Sequence, residues 1–479
     1  MRKKYAQMSL FDTYREVAEN YESNKPKLFR LLDEAIDWEL LIPARFFCAF
    51  YQRMGRPREY GLVAFLKALV LQRLFGYIAD SQLLLTLRHS REMRAFCGFE
   101  KVPDAAKLTR FKQEFQIYIA EIFDKLVDLT EPICREMDAE LADCLIFDTT
   151  GIESYVAENN PKFMNSKLNQ AKTIAKSDPS FNPYIGVYSL MPDEAAANSN
   201  VKRQYVNGHF CYAQKVGILT NGLGIVRHLG LFDDDFKAAH PEMPIDKREN
   251  DPAKDKEIGD SKALLPVLDD FRKAHKDFRY GTFLGDSAFD SYDHYSALLG
   301  PYGFKRAVIP LNSRNSKRDT SSSVNKSGVP LCPRDDSPMI FAGTCGGKNR
   351  SKRFKFVCPK SEAIPSDHGK TRRCFCDAPC TDSDYGRCVY IYPDANKRLY
   401  PGIVRDSDEW NRLYNKRVAV ERSIGTFKAV LCLQNRKTFN TVTTKTDLLL
   451  AGITQLLCVL LAHILHDHSL ARRIRKLAV

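Results

Sequence analysis

The sequence predicts an α/β protein: a mixed-sheet core, interrupted by an inserted subdomain and preceded by an all-helical N-terminal domain. Three observations predict it. Two short apolar runs, one over Cys144–Phe147 and one ending at Leu284, each lead into an aspartate, Asp148 and Asp286. Such runs read as buried strands. Residues before 135 carry apolar residues at helical spacing. Between 311 and 400 the composition changes, which marks an insertion. The expected divisions are a helical domain at 1–135, a first part of the core at 140–310, the insertion at 311–400, and a second part with C-terminal helices at 401–479.

A chain of 479 residues holds two or three domains with a large core. The net charge of +13 suits a polyanionic partner, nucleic acid or an anionic membrane surface. Met1-Arg2-Lys3-Lys4 leads into polar sequence rather than an apolar run. No secretory signal is therefore read, and a cytoplasmic, reducing location is expected. In that setting the 14 cysteines are not a disulfide framework. Leu448–Leu465 is apolar enough to suggest a membrane span, but Thr454, Gln455 and His463 interrupt it. A buried core helix is expected there, with no membrane partner.

In chain order, Tyr60–Phe75 reads as a helix. A second follows, capped by Asp80-Ser81 and running through Leu83 to Leu87. A third starts near Lys107 and continues through Phe111, Phe115 and Ile122. The basic edges of this block suggest DNA binding, with Arg91 and Arg94 set for phosphates; ordinary surface arginines are the alternative. Residues 155–204 read as irregular. Lys215–Leu219 and Gly224–Leu229 read as a strand pair joined by Thr220-Asn221-Gly222. A charged loop over 233–262, a helix over Ser261–Ala274, a helix over Tyr292–Leu299 and a strand over Phe304–Ile309 follow. From Lys305 to Arg373 there are sixteen Lys/Arg against five Asp/Glu, most of the chain's positive excess. Gly346-Gly347-Lys348 lacks the spacing and the following Ser/Thr of a phosphate loop.

The last stretch with a chemical signature is Tyr414–Lys428, YNKRVAVERSIGTFK. On a helix, Tyr414, Arg417, Glu421 and Lys428 fall within an arc of about 60°. Val420, Ile424, Phe427 and Leu431 form a neighbouring apolar stripe, so the polar four lie at the edge of the core. A solvated charged face is the bland reading of the helix, as a turn aspartate is of Asp148. Together, Asp148, Asp286 and Glu421 offer three oxygen ligands, a set that suits Mg²⁺ or Mn²⁺. Two such ions serve phosphodiester cleavage. Arg417 and Lys428 would then meet phosphate oxygens.

IFDTT at Asp148, FLGDSAFDS at Asp286 and YNKRVAVERSIGTFK at Glu421 resemble the motifs of the DDE transposases of bacterial insertion sequences. The likeness is to the group with a Tyr-x2-Arg-x3-Glu-x6-Lys signature, and it covers roughly residues 50–470. It implies a ribonuclease-H-like mixed sheet, with Asp148, Asp286 and Glu421 as catalytic ligands of two Mg²⁺ or Mn²⁺ ions. It implies strand cleavage and transfer at terminal inverted repeats, on double-stranded DNA, with a homodimer in the DNA complex. Tyr414, Arg417 and Lys428, and Arg350, Lys352, Arg353 and Lys355 of the insertion, become candidate DNA contacts. Asp290 is expected to cap the next helix. A non-transposing nuclease of the same fold, or a transposase-derived DNA-binding protein without catalysis, are the alternatives.

Seven cysteines lie in the insertion: Cys332, Cys345, Cys358, Cys374, Cys376, Cys380 and Cys388. Cys374, Cys376 and Cys380, with Cys358 or Cys388, are candidates for a structural Zn²⁺, although the spacing is not paired Cys-x2-Cys. Reduced thiols without metal are the alternative.

Overall fold

The structure is a computed structural model that describes residues 27–472, other than 53, 207, 244, 246–256, 313–322, 348–349 and 367–368. The expectations for residues 1–26, for much of the charged loop and for Lys348 lie outside the described residues.

Three short helices, Lys27–Ala35, Trp38–Leu41 and Ala44–Phe50, precede α1 (Leu62–Leu74), α2 (Asp80–His89), α3 (Arg91–Cys97), α4 (Ala105–Glu114) and α5 (Gln116–Met137). The helix expected from Lys107 onward breaks at Phe115. That ring is held 5.3–5.4 Å from Phe46, Phe50 and Phe111. Asp80 does not cap α2. The helix starts after Ala79, whose N–H donates to Gln82 Oε1 at 3.0 Å, and the Asp80 carboxylate faces Lys112 and Arg436 instead. Two cations offer it more than an N-cap bond would.

The central sheet has seven strands. β1 (Cys144–Glu153) pairs antiparallel with β3 (His209–Asn221). On its other side it pairs parallel with β5 (Thr282–Leu284), which pairs parallel with β6 (Arg306–Val308). β2 (Asn198–Val206) and β4 (Val226–Leu231) share the far edge of β3, and the short strand Glu194–Ala195 pairs antiparallel with β2. The β3–β4 turn is built by Asn221, whose Oδ1 accepts the N–H groups of Leu223 and Ile225, and by Gly224 at φ +77°. Residues 155–204 are more ordered than expected. They hold β2 and α6 (Pro161–Ser177), which starts with Asn160 as cap and proline in the first turn.

Side chains alternate across β1. Leu145 and Phe147 face α7 (Asp260–Ala274) and α8 (Tyr292–Leu299). Cys144 and Ile146 face α9 (Asp408–Tyr414) and α10 (Val418–Gly425) through Trp410, Leu413 and Val420. The last long helix, α11 (Thr441–Ile464), lies in a core shared with α1, α5, β3 and β4. By length and composition α11 could cross a membrane, but 83% of its apolar window is buried inside the fold. The N-terminal helices and the end of the chain thus share one hydrophobic core.

The insertion is β-rich. β7 (Ile340–Gly347), β8 (Arg350–Val357) and β11 (Cys388–Ile391) form one sheet, and β9 (Ser361–Ser366) and β10 (Gly369–Cys374) a separate two-stranded ribbon. Met339, Phe354 and Phe356 pack with Leu399, Tyr400 and Val404 beneath the larger sheet.

Candidate active site

Asp148 lies inside β1 rather than at its end. Pairing with β3 continues through Glu153, opposite Ala213. A strand needs backbone partners rather than apolar side chains, so the polar residues after Phe147 do not stop it. What stops, at Ile146, is the parallel pairing with Leu284 of β5. Extending that register by two residues sets Asp148 level with Asp286. Asp286 follows the end of β5 and its Oδ1 accepts the Ala288 N–H at 2.7 Å. Asp148 shares the face of Cys144 and Ile146, the face that α10 covers.

Tyr414–Lys428 is helical but irregular. A tight turn over Asn415–Arg417 precedes α10, and a π-helical turn over Thr426–Val430 follows it. Val420, Phe427 and Leu431 are buried, as the apolar stripe requires. Arg417 pairs with Glu421 at 2.6 Å, and its guanidinium carbon stands 5.8 Å from the centre of the Tyr414 ring. Tyr414 itself packs on the cluster of Cys144, Ile146 and Trp410. Lys428 donates to Thr150 Oγ1 at 2.6 Å, which fastens the end of this segment to β1.

The electrostatics tie these groups together. Burial pushes the Asp148 carboxyl up to about 6, and the charge of Asp286 adds to the rise; the Thr149 N–H and Arg417 oppose it. Burial works against the charge of Arg417, but Glu421, Tyr414 and Asp148 together hold it above its ordinary value. Arg417 is thus the link between Asp148 and Glu421. Among the described residues the oxygens of Asp148, Asp286 and Glu421 do not all come within 4.8 Å of one another. Like charges repel, and Arg417 holds Glu421 to its own side. A pair of ions a few Å apart spreads its ligands more widely than a single ion does.

One acid near this site went unread in the sequence. Asp260, the first residue of α7, accepts from Thr149 Oγ1 at 2.5 Å and pairs with Lys215 at 2.7 Å, and its charge reaches Asp148. In the sequence it closes a stretch whose composition is that of a charged loop. Its position after Gly259 and before an apolar helix was the available signal.

Asp290 does not cap α8; Ser291 does. Asp290 is buried, pairs with Arg398 at 2.7 Å and accepts from Tyr295 and from the Asn312 N–H. A short-range cap reading misses a partner more than a hundred residues away. Of the arginines on α3, Arg91 is exposed and Arg94 donates to the Arg88 carbonyl. In the insertion, Lys352 is exposed, Arg353 stacks on Tyr390 at 4.3 Å and Lys355 donates to the Tyr385 hydroxyl at 2.9 Å. Arg350 starts β8, and its side chain lies outside the described residues. No three of the insertion's cysteines bring their sulfurs within 4.8 Å among the described residues. Outside the insertion, two groups among the described residues could hold a metal ion by this measure: Glu136, His463 and His468, and Glu153, His209 and Cys211.

Residues 16–114 match the family described as Transposase domain (DUF772), which supports a transposase. No curated protein matches the chain. A solved structure described as "Cryo-EM structure of piggyBac transposase synaptic complex with hairpin DNA (SNHP)" is similar at 10% identity. The likeness covers 94% of this chain and 79% of that one at a TM-score of 0.38, below the level that demonstrates a shared fold.

Proposed function

We propose that the protein is a DDE transposase, which cleaves DNA strands at the terminal inverted repeats of an insertion sequence and transfers them to a target. The observation that carries this reading is the parallel register of β1 and β5, which, extended two residues past Leu284, sets Asp148 level with Asp286 on the side of the sheet covered by the helix that bears Glu421. The match of residues 16–114 to a transposase domain supports it independently. In this reading the sheet is a ribonuclease-H-like core: the antiparallel strands β1, β3 and β4, followed by β5 and β6 running parallel to β1.

Asp148, Asp286 and Glu421 would hold two Mg²⁺ or Mn²⁺ ions. The donor set fits, being three carboxylates, half-buried or exposed, with Arg417 as the cation between two of them. The ions supply charge stabilisation at the attacking and leaving oxygens. Arg417 would turn from Glu421 to phosphate oxygens, for which its planar fork is suited. Lys428 and Tyr414 would line the same edge. Arg350, Lys352, Arg353 and Lys355 would hold DNA along β8. The working form would be a homodimer on double-stranded DNA in the cytoplasm.

Glu421→Gln tests the reading. It keeps size but loses the charge, so DNA binding should survive while Mg²⁺-dependent cleavage of the element's own ends falls by about 10²–10³-fold or more. Cleavage at the wild-type rate would remove Glu421 from the ligand set.

A further inference from the structure

The β9–β10 ribbon has almost no core of its own. Glu362, Ala363, Pro365, Lys370, Thr371 and Arg373 are all exposed. A two-stranded ribbon of this kind is marginally stable in water, so something must hold its root. The root pairs Ser361 with Cys374, and Cys358 lies three residues before Ser361. There the sulfurs of Cys358 and Cys374 stand 3.9 Å apart. A disulfide requires about 2.05 Å. Thiolates at about 2.3 Å from a tetrahedral zinc are separated by roughly 3.8 Å.

We propose that Cys358 and Cys374 form one edge of a tetrahedral zinc–thiolate site, completed by Cys332 and Cys376, that staples the root of this ribbon. The backbone is arranged around the sulfurs. The Lys360 N–H donates to the Cys358 sulfur, the kind of bond that orients a thiolate ligand. Gly386, at φ +82°, passes so close that a Cβ there would stand 3.2 Å from the Cβ atoms of Cys358 and Cys374. Cys332 and Cys376 are the thiols proposed to complete the set: Cys376 lies two residues after Cys374, and since neither forms a trio within 4.8 Å with the pair, the ion would have to draw them in. Cys332-Pro333-Arg334 and Cys358-Pro359-Lys360 repeat one local pattern, Cys-Pro followed by a cation. Four thiolates around one Zn²⁺ carry a net negative charge; Arg372, which donates to Ser361 Oγ at 2.9 Å, is the cation held at the Ser361–Cys374 pairing, while Lys360 is paired with Asp335 at 2.8 Å.

This ligand set differs from the compact Cys374, Cys376 and Cys380 run in the sequence. The strand pairing is what selects Cys358 as the partner of Cys374. Cys388 sits opposite Val357 on β11.

Metal analysis of the purified full-length chain tests this without any DNA assay. About one zinc per chain is expected, lost in Cys358→Ser/Cys374→Ser and retained in Cys48→Ser, an exposed cysteine of the helix Ala44–Phe50. Replacing zinc with cobalt should give the wild type a thiolate-to-metal charge-transfer band that the double variant lacks. If the double variant does not fold, zinc content and the cobalt spectrum of the wild type decide. A wild type without zinc, zinc kept by the folded double variant, or a Cys358–Cys374 disulfide found by alkylation mapping would overturn the site.

Discussion

Two regions of this molecule are built from the same residue types to opposite ends. At the junction of α1, α2, α4 and α11, Asp447 and Asp80 meet Arg73, Lys112 and Arg436, at 2.6–3.2 Å. There two carboxylates face three cations, and the Asp447 side chain is 1% exposed. Burial opposes the charge on Asp447, yet Arg436, Lys112 and Arg73 hold its carboxyl below the usual range. At the candidate active site, Asp148 and Glu421 share the guanidinium of Arg417, Asp286 adds a further negative charge beside Asp148, and burial lifts Asp148 instead. The first region spends its charges internally. The second leaves negative charge at the surface, which is what a cation site requires.

The comparison breaks first at Asp447. Asp447→Asn removes the anion from the buried cluster and leaves three cations facing Asp80. It should destabilise the fold by about 3–5 kcal/mol in denaturant unfolding. Glu421→Gln, at a half-exposed carboxylate, should move the same midpoint by less than about 0.5 kcal/mol. Equal shifts in the two variants would dissolve the distinction between scaffold and site.

A smaller effect sharpens it. In the folded chain Asp148 keeps its proton up to about pH 6, whereas an unfolded aspartate loses it near 4. The folded state therefore binds more protons in that window, so stability falls as pH rises through it, and the whole penalty is present above 6. Asp148→Asn abolishes the titration. It should be the more stable form at pH 7.5 by roughly 1–2 kcal/mol, after allowance for solvent screening, with the difference gone near pH 4. A difference independent of pH would mean that Asp148 is not held against its charge.

Much of this arrangement was legible in the chain. The apolar run Cys144–Phe147, the turn at Asn221 and the stripe of Val420, Phe427 and Leu431 each follow from local periodicity or turn chemistry. The misses share a physical cause. The sequence offers Asp80 and Asp290 as caps because capping is a local bond, whereas their partners Arg436 and Arg398 are brought in by the fold. The continuation of β1 past Asp148 is decided by β3, and Asp260 matters because α7 delivers it to Thr149. The approach of Cys358 to Cys374 likewise follows from the pairing of β9 with β10 rather than from their spacing along the chain.

The smallest expected effect concerns the basic strand of the insertion. Arg353 and Lys355 point at Tyr390 and Tyr385, neutral rings, rather than at carboxylates. Their charge is thus not cancelled, unlike that of Arg73 and Lys112 in the buried cluster. If this strand meets DNA, each phosphate contact contributes about 0.9 to the slope of log K against log salt concentration. Arg353→Gln/Lys355→Gln should then flatten the slope by roughly 1–2 and weaken binding equally across unrelated sequences. Arg73→Gln offers no matching test, since that side chain is sealed from solvent and its loss would be read as instability. Lys107→Gln is the better control, because Lys107 is already paired with Glu59 at 3.0 Å and should leave the slope unchanged. A slope untouched by the double variant would turn β8 away from DNA.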